Sequence, residues 1–140
     1  FPPLSRRSGG IFDIISVMEE DFYTIAQVSE VIGAPKHMIR RIIKSGLVRN
    51  VQRRTNKYRV LNSEQVELVR TLYYLHRGGA TMRDLRKYAS LEYAGDVTIA
   101  ERKAILETKK RQLWENLKDL QAAIDHIERK IEVMETTSKS

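Results

Sequence analysis

The sequence predicts a mainly α chain: a winged helix-turn-helix domain, then a long C-terminal helix that pairs with a second copy as an antiparallel coiled coil. Three observations predict it. Two short helix signals flank a tight turn between Tyr23 and Gly46. A strongly basic, hairpin-like segment from Arg49 to Arg59 follows. From Ile99 to Met134, apolar residues recur every seven positions, with no Gly or Pro among them.

The first helix signal begins at Thr24. Thr24 and Gln27 have capping-box spacing, and Ile25, Val28 and Ile32 recur at helical spacing. Gly33 suits the left-handed stop. The second helix opens at Ala34-Pro35, with Pro35 in its first turn. Met38, Ile39 and Ile42 form its inner stripe, and Lys36, His37, Arg40, Arg41 and Lys44 face outward. Gly46 ends it. Leu47-Val48 reads as a short core strand. Arg49 to Leu61, turning at Thr55-Asn56-Lys57, reads as a two-stranded wing.

Asn62-Ser63 caps a third helix that starts at Glu64 and buries Val66, Val69, Leu72, Tyr73 and Leu75. Gly78-Gly79 stops it. Thr81 and Asp84 open a fourth helix with Met82, Leu85, Tyr88 and Ala89 inward and Arg83, Arg86 and Lys87 on the other side. Residues 92–98 form a linker, and Thr98 with Glu101 repeats the capping-box spacing.

The last helix has a single apolar seam. Ile99, Leu106, Leu113, Leu120, Ile127 and Met134 hold one heptad position. Lys103, Lys110, Leu117, Ile124 and Ile131 hold the other. At 1.5 Å per residue, about 36 residues span roughly 54 Å, more than the preceding domain can cover. A partner helix is needed, and a second copy of the chain is the favoured one, the alternative being that the helix folds back on its own domain. A parallel pair would stack Lys103 on Lys103 and Lys110 on Lys110; an antiparallel pair avoids that repulsion. The dimerisation residues are therefore Leu106, Leu113, Leu117, Leu120, Ile124, Ile127, Ile131 and Met134.

Charge is segregated. The net charge is +7 over 140 residues. Residues 23–91 carry 14 Lys/Arg against 4 Asp/Glu, a balance of +10, whereas the flanking segments are slightly acidic. The basic excess thus coincides with the helix-turn-helix, which implies a polyanionic partner, double-stranded DNA. Lys36, His37, Arg40 and Arg41 are the candidate contacts on the second helix, with Arg40 or Arg41 able to grip guanine or phosphate. Arg53, Arg54, Lys57, Tyr58 and Arg59 are those of the wing, and Arg83, Arg86 and Lys87 those of the fourth helix.

This order of elements resembles the MerR family of bacterial transcription regulators over about residues 22–134. Tyr23-Thr24-Ile25, Arg40, Gly46-Leu47-Val48, Asn56-Lys57-Tyr58-Arg59, Gly78 and Thr81-Met82-Arg83-Asp84-Leu85 carry the resemblance. Two departures stand out. The family's Arg-Tyr-Tyr-Glu is Arg40-Arg41-Ile42-Ile43 here, and the wing glycine is Lys57. The resemblance implies a homodimer on a pseudo-palindromic promoter site, with RNA polymerase as a further partner. It also implies activation by bending and untwisting DNA whose promoter spacer is overlong.

Other classes find little support. With no cysteine there is no disulfide framework or thiolate site. His37, His76 and His126 are far apart and lack ligand partners at metal spacing, so no metal, cofactor or catalytic residue is expected. No effector is identified. No membrane partner is expected, and a cytoplasmic location is the simplest reading. The alternatives are a DNA-architectural or chromosome-anchoring protein on the same module, or a protein-interaction module. The expected division is 1–21, a flexible extension; 22–91, the DNA-binding domain; 92–98, the linker; 99–135, the dimerisation helix; and 136–140, a tail. The native chain is expected to start at Met18, with residues 1–17 foreign to it.

Overall fold

The structure is a computed structural model and describes residues 21–54 and 58–139. The expected extension up to residue 20, the start at Met18, the wing turn Thr55-Asn56-Lys57 and Ser140 lie outside the described residues. The chain divides into two compact units, with the boundary between Asp96 and Val97.

The first unit opens with strand β1 (Phe22–Thr24) and helix α1 (Ile25–Ile32). Thr24 caps α1 as its spacing predicts. The Gln27 N–H donates to the Thr24 hydroxyl at 3.2 Å, and the Thr24 N–H donates to the Gln27 side chain at 2.9 Å. Gly33 ends the helix at φ 78°, a left-handed conformation costly for any residue with a Cβ. Helix α2 (Lys36–Lys44) follows. Pro35 is its N-cap, one residue ahead of the expected first-turn position. Ile39, Ile42 and Ile43 are buried, while Met38 is only partly so.

Leu47 and Val48 do not form the expected strand, yet both are buried. They join the core from the loop between α2 and the wing. The wing hairpin pairs β2 (Gln52–Arg53) with β3 (Arg59–Asn62) in antiparallel register. The Arg54 N–H donates to the Tyr58 carbonyl at 2.9 Å. On its other side β3 pairs with β1, placing Tyr23 opposite Leu61. The sheet order is therefore β1-β3-β2, with β3 central.

Helix α3 (Ser63–Arg77) starts one residue earlier than expected, because Asn62 is its N-cap. Asn62 and Gln65 exchange reciprocal hydrogen bonds of 2.8 Å. Thr81 and Asp84 cap α4 (Met82–Tyr93) in the same way. This helix takes in Glu92 and Tyr93, which the sequence assigned to the linker. A 3-10 turn, Asp96–Thr98, takes up its end. Val28, Ile39, Leu61, Val66, Val69, Leu72 and Leu85 are the fully buried centre of this unit. Fully burying each such side chain contributes roughly 1.5–3 kcal/mol. Helix α3, which supplies three of them, packs on both α2 and α4.

The second unit is helix α5 (Ile99–Lys139), 41 residues long and continuing through most of the segment expected to be a tail. Thr98, in the 3-10 turn before it, accepts from Arg102 Nε at 2.9 Å. Along α5, Lys103 pairs with Glu107 at 3.9 Å, and Arg111 donates to Thr108. No residue of α5 is buried.

Candidate nucleic-acid interface

The local fold of α2 decides which side chains are offered outward. Ile39, Ile42 and Ile43 anchor its inner face. Helical periodicity then aligns Lys36, Arg40 and Lys44, spaced by four residues, in one exposed stripe flanking that face. His37 and Arg41 occupy the neighbouring stripe and are exposed.

The Lys36–Arg40–Lys44 face forms one wall of an open groove of about 590 Å³. Arg53, Tyr58 and Arg59 of the wing form another, and the start of α1 (Thr24, Ile25 and Ala26) completes it. Five of these nine lining residues are cations and none is an acid. The first-turn amides of a helix lack intrahelical acceptors and carry the positive end of its dipole. The opening of α1 therefore adds to the field of the five cations. A surface of this kind attracts a phosphate backbone and holds it by charge-assisted hydrogen bonds.

The groove brings together Lys36, Arg40, Arg53, Tyr58 and Arg59 from two separate candidate sets. It adds Lys44, which the sequence placed on the outer face but not among the DNA-binding candidates. It also adds Thr24, Ile25 and Ala26, which the sequence marked only as the start of a helix. His37, Arg41 and Arg54 are exposed but do not line it. The Arg54 guanidinium carbon lies 5.7 Å from the centre of the Phe22 ring. Lys57 falls outside the described residues. Arg83, Arg86 and Lys87 are exposed on α4, away from the groove lining.

The candidate dimerisation residues line up along α5. Leu113, Leu117, Leu120, Ile124, Ile127, Ile131 and Met134 are all exposed, with 42% to 65% of their surface accessible. Leu106 is exposed too, and Trp114 and Val133 widen the apolar area beside the seam. Among the described residues, no cluster of His, Cys, Asp and Glu is placed to hold a metal ion. No helix among them is long and apolar enough to cross a membrane.

Comparison with known proteins adds to this geometry. Residues 23–92 match the MerR HTH family of regulatory proteins. An uncharacterized HTH-type transcriptional regulator of Haemophilus influenzae is 28% identical over 109 residues, which is 78% of this chain and 81% of that protein. Among solved structures, one is of HiNmlR, a MerR family regulator lacking the sensor domain, bound to promoter DNA. It is 27% identical with a TM-score of 0.68, over 75% of this chain and 80% of that one. A MerR family transcriptional regulator from Bacillus thuringiensis shares the fold, with a TM-score of 0.70 and 23% identity over 79% of this chain and 97% of its own.

Proposed function

The chain belongs to the MerR family of transcription regulators, and from that premise we propose that it acts as a homodimer that binds and distorts specific promoter DNA. The observation that carries this reading is the groove in which Lys36, Arg40 and Lys44 of α2 meet Arg53 and Arg59 of the wing. Helix α2 is the element that enters the major groove, and its side chains reach base edges. The wing cations bind flanking phosphates. Arg83, Arg86 and Lys87 of α4 hold the backbone further out, as do His37, Arg41 and Arg54 beside the groove, and Lys57 of the wing is a further phosphate contact. The similar regulator HiNmlR, crystallised on promoter DNA, supports the same role for this fold.

Dimerisation follows from α5. A lone helix with this much exposed apolar surface leaves that surface to water unless a partner covers it. A second copy in antiparallel register does so and keeps Lys103 and Lys110 of one chain away from their counterparts. Two basic units are then presented to two half-sites. RNA polymerase at the promoter is the further partner, in the cytoplasm, and the protein performs no catalysis.

Fluorescence anisotropy tests the reading. The DNA upstream of the protein's own gene and a scrambled duplex of equal length are titrated at physiological salt. A preference of about a thousandfold for the first is expected of a specific regulator. Equal, salt-sensitive binding to both contradicts own-promoter specificity and favours a DNA-architectural role.

A further inference from the structure

The root of the wing is held by a tie that belongs to neither the groove nor the core. The chain leaves the helix-turn-helix through Arg49 and Asn50, and Asn50 adopts a left-handed conformation at φ 61°. This turn is gripped from two sides. The Gln65 side chain of α3 donates to the Arg49 carbonyl at 2.8 Å. The Arg49 backbone N–H donates to the Tyr93 hydroxyl at 2.7 Å. The Arg49 guanidinium carbon also lies 4.3 Å from the centre of the Tyr93 ring. Tyr93 is the last residue of α4, 44 positions further along the chain.

A hydrogen bond alone leaves the wing root free to swivel about it. A cation–π interaction between the same two residues removes that freedom, because the guanidinium must stay over the ring face. Two residues after Asn50, β2 begins, and it carries Arg53 into the groove. Its partner β3 carries Arg59. Small rotations at Arg49 are therefore magnified at both cations.

We propose that Tyr93 is a positioning residue for DNA binding, whose latch on Arg49 sets the direction in which the wing leaves the domain. The inference rests on the DNA-binding reading above and assigns a residue to it that touches no DNA itself. Tyr93 lies at the surface, 37% exposed, on the wall of a polar cavity of about 280 Å³ that Glu64 and Glu92 also line. It is thus outside the buried centre, and its replacement leaves the core packing in place.

The test is a salt titration of DNA affinity by the full chain on one fixed duplex. Tyr93→Ala is expected to weaken binding about tenfold. It should also flatten the plot of log affinity against log salt by about 0.9 for each phosphate that the wing no longer neutralises. Tyr93→Phe keeps the ring and removes only the hydroxyl, so its effect is smaller. In an Arg53→Ala/Arg59→Ala background, Tyr93→Ala adds little, because the cations it positions are already absent. A residue that only stabilises the fold lowers the melting temperature and leaves the salt slope of the folded protein alone. An unchanged slope, or full additivity with the Arg53/Arg59 pair, overturns the latch while DNA binding by the wild-type chain stands. A wild-type chain that binds no duplex overturns both readings.

Discussion

Arg40 sits midway along α2, with Lys36 and Lys44 about one turn to either side on the same face. A guanidinium there has the planar fork that matches the acceptor edge of guanine. Arg40→Ala is therefore expected to weaken binding to the preferred site by roughly 1–3 kcal/mol and to random duplex far less. Anisotropy on both duplexes checks this, and equal losses identify Arg40 as a phosphate contact instead. Gln65 makes a different kind of contribution. It is 9% exposed, caps α3 through Asn62 and holds the Arg49 carbonyl. Gln65→Ala should cost about 1–2 kcal/mol in urea unfolding, the range for a partly buried hydrogen-bonded group; a change near zero would show that solvent replaces all its bonds. In the sequence Gln65 stands out only by its capping-box spacing from Asn62. Its long-range bond depends on Asn50 turning left-handed fifteen positions earlier, which no local pattern announces.

Among the elements, the helices were legible and the strands less so. Capping boxes at Thr24 and Thr81 are local patterns that survive folding, and so are most of the stripes of α1 to α4, with Ile25, Met38 and Met82 only partly buried. Strand β1 escaped because three residues carry no period and its partner Leu61 lies 38 positions away from Tyr23. Leu47-Val48 has the right burial but the wrong backbone. The pair follows Gly46 at φ 80° and precedes the left-handed Asn50, so it never extends far enough to pair. The wing strands were anticipated, and the turn joining them is outside the described residues. The elements of the groove were therefore foreseen one by one, but their convergence with the opening of α1 was a tertiary fact.

Helix α5 makes its own prediction. An isolated helix gains little from propensity alone, so its apolar seam calls for a partner. Ile124→Asp places a carboxylate in that seam and is expected to convert a dimer to a monomer in sedimentation analysis. An unchanged dimer would move the interface elsewhere. Because the chain has no cysteine, Lys110→Cys reports orientation. A parallel pair cross-links through it on oxidation, and the proposed antiparallel pair does not.

At the scale of the whole molecule, the division of charge matches the division of labour. Residues 23–91 hold a +10 balance, and residues 92–140 hold 9 Lys/Arg against 10 Asp/Glu. The near-neutral helix is free to pair with itself, and the basic unit is left to meet a polyanion. In the proposed dimer the number of phosphates engaged doubles, and a steeper salt dependence of binding is expected. Hydroxyl-radical footprinting of the full chain on its preferred duplex probes the dimeric, two-half-site mode of binding without an intermediary. Two protected half-sites related by two-fold symmetry are expected, with the outermost protection on each abolished in an Arg53→Ala/Arg59→Ala variant. A single protected patch, or a footprint indifferent to that variant, would contradict this mode of binding.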